Sequence, residues 1–282
     1  MATDNLQHQR LELKYIIPEE TALAVRDFVR PVLALDEYAK GQPDYSYPIH
    51  SLYLDSDLLT FYWHTINGNK NRLKLRVRFY DDSPDTPVFF EIKRRMNDAI
   101  FKQRGGVRRS AVTEVLAGRM PLPEEVLSKD PKHTTALANF CRIQAQYLLA
   151  PKALVSYRRE AWISPHNNSV RVTLDREVKL GLQSTAELNS QIDEPVAVFG
   201  NDVILELKFT GRFPVWFGEL VRHFGLWKCS AAKYADGMTL MRETGRRPVP
   251  MAVPETSQAV KKLASRKAGQ LQFQERSRTV FA

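Results

Sequence analysis

Arg72, Lys74, Arg76 and Arg78 alternate with Leu73, Leu75, Val77 and Phe79 in one short segment. Side chains of an extended strand alternate between its two faces, so this spacing puts four cations on one side and four apolar groups on the other. Like charges two residues apart on a strand sit only about 6.6 Å from each other and repel. A polyanion lying across them removes that cost. The pattern recurs along the chain. Arg10, Glu12 and Lys14 oppose Leu11, Leu13 and Tyr15, and Glu91, Lys93 and Arg95 oppose Phe90 and Ile92. Lys102 with Arg104 and Tyr157 with Arg159 follow, then Arg171, Thr173 and Asp175 opposite Val170, Val172 and Leu174. Last come Glu206 and Lys208, opposite Leu205, Leu207 and Phe209.

Any one of these strands is explained by an antiparallel sheet with one wet face. Taken together they are not, because a merely wet face would use Ser, Thr and Gln freely, and here Arg, Lys and Glu dominate. A sheet curled with its ionic faces inward would gather about a dozen cations and a few carboxylates in one lumen, with helices on its apolar outside. Arg neutralises phosphate oxygens through a bidentate fork and Lys as a point charge, while Glu can hold a divalent cation that bridges them. Glu12, Glu91 and Glu206 are the carboxylates on basic faces. Glu91 is as well placed for salt bridging as for metal binding. Glu206, between apolar residues and near Lys208, is the preferred metal ligand.

The elements that must carry these residues follow from periodicity. A strand begins at Arg10, and Pro18 with Glu19 and Glu20 opens a helix that Pro31 ends. Strands are expected at 47–55, 72–81, 88–95 and 100–104, with Asn67-Gly68-Asn69 and Ser83-Pro84-Asp85 as turns and Gly105-Gly106 as a hairpin turn. Helical spacing occupies 112–116 and 134–149, and strands resume at 153–163, 170–174 and 203–209. Pro214 starts a helix through His223, on which Trp216, Phe217 and nearby Trp227 supply packing. A last helix spans 231–244. Residues 1–9 read as a flexible start, 10–244 as one domain, and 245–282 as a basic, disordered tail whose partner is unknown.

The 282 residues carry a net charge of +9 and are 43% hydrophobic, the composition of a globular protein with a sizeable core. Cys141 and Cys229 show no CxxC spacing, and no apolar run reaches the roughly 18 residues of a membrane span, so a soluble, cytoplasmic protein is expected. His50, His64, His133, His166 and His223 have no metal-site spacing. Few aromatics interleave with the strand cations, which disfavours nucleic acid as the barrel's ligand.

These residues carry a resemblance. Arg10-x-Glu12-x-Lys14-Tyr15, Ser51-Leu-Tyr-Leu-Asp55, Lys74-x-Arg76-x-Arg78-x-Tyr80, Glu91-x-Lys93-Arg94, Tyr157-x-Arg159 and Glu206-x-Lys208 stand in the order found in the VTC domain. That family lies in the CYTH, or triphosphate tunnel metalloenzyme, superfamily, and its eukaryotic members make polyphosphate. The resemblance runs from about Arg10 to Arg242. It implies an α+β fold: an antiparallel eight-stranded β tunnel barrel with helices packed on the outside. It also implies Mn2+ or Mg2+ held chiefly by Glu206, with Glu12 and Glu91 as the other carboxylate candidates, and ATP bound through its phosphates. Lys14, Arg76, Arg78, Lys93, Arg159, Arg171 and Lys208 would be phosphate ligands. Lys233 matches the lysine of a Ser-Lys-Tyr motif, with Ala232 in place of the serine. Arg10, Lys74, Lys102, Arg104 and Tyr157 are weaker candidates.

By the same resemblance the expected reaction is transfer of the γ-phosphoryl group of ATP to a growing polyphosphate chain. Hydrolysis of triphosphate or of a nucleoside triphosphate is the enzymatic alternative, and a non-catalytic polyphosphate-binding module is the other.

Overall fold

The computed structural model describes residues 10–97, 99–165 and 169–245. Its framework is one antiparallel sheet. The strands are β1 (Arg10–Ile17), β2 (Ala34–Leu35), β3 (Ser46–Asp55), β4 (Asn71–Phe79), β5 (Val88–Met96), β6 (Ala99–Val107), β7 (Ala150–Ile163), β8 (Val170–Leu182), β9 (Val196–Ala197) and β10 (Val203–Thr210). Eight of them pair in the order β1-β10-β8-β7-β3-β4-β5-β6, while β2 pairs with β7 and β9 with β8. The expected barrel is corrected here: β1 and β6 end the ladder and share no strand pairing, so the sheet is not closed. The ends nevertheless approach through side chains, since Lys93 Nζ on β5 donates to Glu12 Oε2 on β1 at 3.3 Å.

The helices are α1 (Glu19–Val29), α2 (Thr60–Ile66), α3 (Val112–Leu116), α4 (Pro131–Tyr147), α5 (Val215–His223) and α6 (Lys233–Glu243). Most lie on the apolar strand faces, as alternation requires. Phe140 of α4 meets Phe90 edge to face at 4.9 Å, and α1 and α5 share a core with Leu205 and Leu207 of β10. α6 departs from the expected outside packing. Its Tyr234, Ala235 and Met238 join Ile49, Tyr53, Val155 and Ile204 in one buried cluster, and Tyr53 opposes Arg76 on the cationic face. The inner face is apolar at that end and needs a cover, which α6 provides.

Several local readings change. Asp55 ends β3 and accepts from the backbone N–H groups of Phe61 and Tyr62, both at 2.9 Å, so it caps a helix, α2, that the strand-and-turn reading left out. Gly105 and Gly106 lie inside β6 and make no turn. A β-carbon on Gly105 would meet Leu137 Cγ at 2.4 Å and His133 O at 2.8 Å, so the glycines let α4 lie directly on the strand. β8 continues past the expected Leu174 to Leu182, with an irregularity opposite Ser156 and Arg158 and Glu177 at φ 50°. Trp227 is 77% exposed and belongs to none of the buried clusters, unlike Phe217, which is fully buried. Residues 1–9, the tail from 246 and His166 lie outside the described residues. No helix among the described residues is long and apolar enough to cross a membrane.

Candidate active site

Register places the ionic residues in rows across the strands. Tyr53, Arg76, Glu91 and Arg104 are successive partners on β3, β4, β5 and β6. On the other half of the sheet Lys14 opposes Glu206, Glu206 opposes Thr173, and Arg159 opposes Asp175. Because the sheet curls, both rows face one cavity of about 1020 Å³. Fifteen basic side chains line it against three acidic ones, Glu12, Asp36 and Glu206. Opposite charges on the strands themselves therefore cannot neutralise it.

Two carboxylate centres organise the cations. Glu206 Oε1 lies 3.0 Å from Lys14 Nζ and 3.4 Å from Lys233 Nζ. Its Oε2 accepts from Arg159 at 3.4 Å, from Thr173 Oγ1 at 3.3 Å and from Lys208. Burial opposes ionisation of Glu206, but Lys14, Lys208, Lys233 and Arg159 outweigh it and hold the carboxyl well below the usual range. Beside it Asp175, fully buried, receives Arg159 in a bidentate pair at 2.6 and 2.7 Å and Lys233 at 2.6 Å. Glu12 Oε1 reaches the same Lys14 ammonium at 3.2 Å, so Glu12 and Glu206 converge on one position.

Glu91 is the second centre. It accepts from Arg76 Nε at 2.8 Å, pairs with Lys102 at 2.7 Å and Arg104 at 3.4 Å, and has Arg78 at 3.8 Å. It is 1% exposed and lies behind these cations, outside the cavity lining. Arg78 also reaches Ser51 Oγ at 3.4 Å and Tyr157 at 3.2 Å. Arg171 pairs with Asp36 at 2.5 Å.

Not every cation is matched by a carboxylate. Lys74 lines the cavity with no ion pair among the described residues, and burial, joined by Lys14, Lys93 and Arg72, takes its pKa down to about 8 against the pull of Tyr53. Lys208 also falls to about 8, because burial and Arg159 outweigh Glu206. Tyr53 is drawn down to about 8: burial would raise it, but Arg76 and Lys74 favour the phenolate more. An uncompensated ammonium inside a cationic cavity is a place for an anion.

The structure thus gathers Lys14, Arg76, Arg78, Lys93, Arg159, Arg171, Lys208 and Lys233 round one space, with Lys74, Lys102, Arg104 and Tyr157 beside them and Glu12 and Glu206 within it. Glu91 is the one carboxylate candidate set behind the wall, and the Arg10 side chain lies outside what is described. Ala232 supplies no hydroxyl; its N–H donates to Asp236 Oδ2 at 2.7 Å at the start of α6. Residues not singled out as ligands also belong here. Asp175 and Tyr53 share the parity of the ionic faces and could have been found from it, whereas Asp36 reaches Arg171 from a loop and left no periodic signal.

A divalent cation suits the Glu12 and Glu206 oxygens, which already converge on the Lys14 ammonium. No cluster of three or more His, Cys, Asp or Glu residues able to hold a metal occurs among the described residues. The protein would therefore supply two carboxylates and leave the remaining positions to phosphate and water, a common way of holding Mg2+.

No curated protein matches the chain. Among solved structures it is similar to the PH1819 protein from Pyrococcus horikoshii OT3, at 13% identity and a TM-score of 0.41, over 83% of this chain and 99% of that one. Residues 9–242 match the family described as the VTC domain. With most of its length inside that match, the chain belongs to the VTC domain family.

Proposed function

We propose that this protein transfers the γ-phosphoryl group of ATP to the end of a growing polyphosphate chain within the cationic cavity. The observation that carries the reading is the cavity's imbalance of fifteen basic to three acidic side chains, Lys74 among them having no ion pair within the described residues. Phosphoryl transfer asks little covalent chemistry of a protein. It asks for in-line positioning and for fixed positive charge where negative charge is spread over the transferring group. Arg159, aimed by Asp175, and Lys233, held by Asp175 and Glu206, are rigid donors of that kind. Arg76 and Arg78, braced on Glu91, are another such pair on β4.

Glu206 and Glu12 would hold Mn2+ or Mg2+. Such an ion, when bound, neutralises phosphate oxygens and polarises the group being transferred. With that position filled, Lys14 would leave its two carboxylates to meet phosphate.

Incubating the pure protein with ATP and Mn2+ and resolving the products on a gel tests the reading. Long phosphate chains are expected. Orthophosphate as the sole product points to hydrolysis and overturns the polymerase reading, and tight polyphosphate binding without turnover of ATP leaves a binding module.

A further inference from the structure

Four tyrosines inside the cavity each stand against an arginine. Arg76 donates to Tyr53 Oη at 3.1 Å, Arg78 to Tyr157 at 3.2 Å, Arg104 to Tyr80 at 3.1 Å and Arg171 to Tyr47 at 3.4 Å. A guanidinium has only donors, so in every pair the phenol oxygen is the acceptor and the phenol's own proton stays unspent. No residue among those described accepts any of the four protons. Yet Tyr47, Tyr53 and Tyr157 are only 8%, 6% and 4% exposed. Buried hydroxyls are normally satisfied, and leaving their donors idle costs free energy.

We propose that Tyr47, Tyr53 and Tyr80 extend the Tyr157 position into a row of neutral phosphate-binding groups, each donating its O–H to a phosphate oxygen while the arginine behind it polarises the phenol. The inference rests on the reading that a phosphate chain occupies the cavity, and it adds a set of donors to the cations. Tyr157 shares the Tyr157-x-Arg159 motif; Tyr47, Tyr53 and Tyr80 have no role otherwise assigned. Arg76 and Arg78 lean on Glu91, so part of their charge is already engaged. The phenols extend their reach into the cavity without adding charge. Tyr53 is further fixed by stacking on Tyr234, with ring centroids 4.9 Å apart and planes 10° from parallel. Tyr47 and Tyr53 are six residues apart on β3, about 20 Å along a strand. A triphosphate is too short to engage both, whereas a longer chain can.

The test measures binding of tripolyphosphate and of long-chain polyphosphate to the parent protein and to Tyr47→Phe, Tyr53→Phe and Tyr80→Phe, by calorimetry. Phe keeps the ring and its packing. Each variant is expected to bind long-chain polyphosphate about tenfold more weakly, the lower end for a lost hydrogen bond to a charged group. The Tyr47→Phe/Tyr53→Phe pair should cost more on the long chain than on tripolyphosphate. Unfolding midpoints without ligand should change little, since the idle phenol donor goes while the arginine behind it loses an acceptor. If the parent binds tightly and all three variants stay within twofold of it, the inference is overturned alone. A parent that binds neither ligand overturns the phosphate-chain reading and this inference with it.

Discussion

The carboxylate of Glu12, on the first strand, lies 3.3 Å from the ammonium of Lys93, on the fifth. Since β1 and β6 share no pairing, this contact crosses the gap that the backbone ladder leaves open. Charge holds the seam where hydrogen bonds hold the rest of the wall. Burial works against the Glu12 charge, but Lys93 and Lys14 keep its carboxyl well below the usual range.

A double-mutant cycle of Glu12→Gln and Lys93→Met, read by urea unfolding, measures the seam. Lys93 is 37% exposed, so solvent screens the pair and a coupling of about 0.5–1 kcal/mol is expected. Strictly additive effects would mean the pair contributes nothing to closure.

Glu206→Gln removes the counter-charge of Lys14, Lys208, Lys233 and Arg159 together. Stripping one partner from a buried ionic cluster costs about 3–5 kcal/mol. The variant should melt well below the parent without ligand and regain much of the loss when tripolyphosphate supplies the missing negative charge. A melting curve indifferent to tripolyphosphate argues that no phosphate reaches these cations.

Asp175 positions two cations without lining the cavity itself. Asp175→Asn keeps the shape but weakens the hold on Arg159 and Lys233, and misplaced donors can cost about tenfold to a hundredfold in rate. Steady-state kinetics with ATP should show the loss mainly in kcat. Unchanged turnover would detach Asp175 from the site.

The pH response should run in opposite senses for stability and for binding. Lys74 and Lys208 fall to about 8 from an ordinary 10.5, and Tyr53 to about 8 from 10. Between those values the unfolded chain holds more protons than the folded one, so these groups make the ligand-free protein more stable as pH rises from about 8 towards 10. Phosphate needs the ammonium forms, so tripolyphosphate affinity should drop across the same range. Melting curves and titrations at pH 7, 8, 9 and 10 check both arms, and a parallel fall in the two contradicts the assignment.

Gly105→Ala should destabilise by about 1–3 kcal/mol through overpacking against Leu137 and the His133 carbonyl. Gly106→Ala should cost less, because its nearest neighbours at 3.1–3.3 Å are the Phe89 and Leu127 side chains, which can shift. Equal effects in urea unfolding would show that α4 yields readily.

Strand parity made the cationic wall legible, because a period of two decides which face each side chain takes whatever lies around it. It also held Tyr53 and Asp175 in plain view. What parity could not reveal is how a sheet ends. Closure depends on how far the curl brings β1 toward β6, and no residue type encodes that directly. The glycine pair misled for a related reason: Gly105-Gly106 has the composition of a turn, and only the helix laid on it explains the missing side chains. α2 escaped because its start signal, Asp55, is spent at the end of a strand. The inward packing of α6 was written in Ile204, an apolar residue at the parity of Glu206 and Lys208, whereas Val178 and Leu180 join that face only through the irregularity in β8.

α6 also fixes when the cavity can exist. Lys14 on β1 donates to the Ala231 carbonyl at 3.0 Å, a contact spanning 217 positions, and Lys233 then supplies the ammonium between Asp175 and Glu206. A ribosome delivers these partners at opposite ends of the job. The strands can gather early, with Lys14, Lys208 and Arg159 already meeting these carboxylates, but Lys233 arrives only with α6, and contacts so distant in sequence form slowly. The complete set of cations round Glu206 is therefore a late acquisition of this domain as it is made.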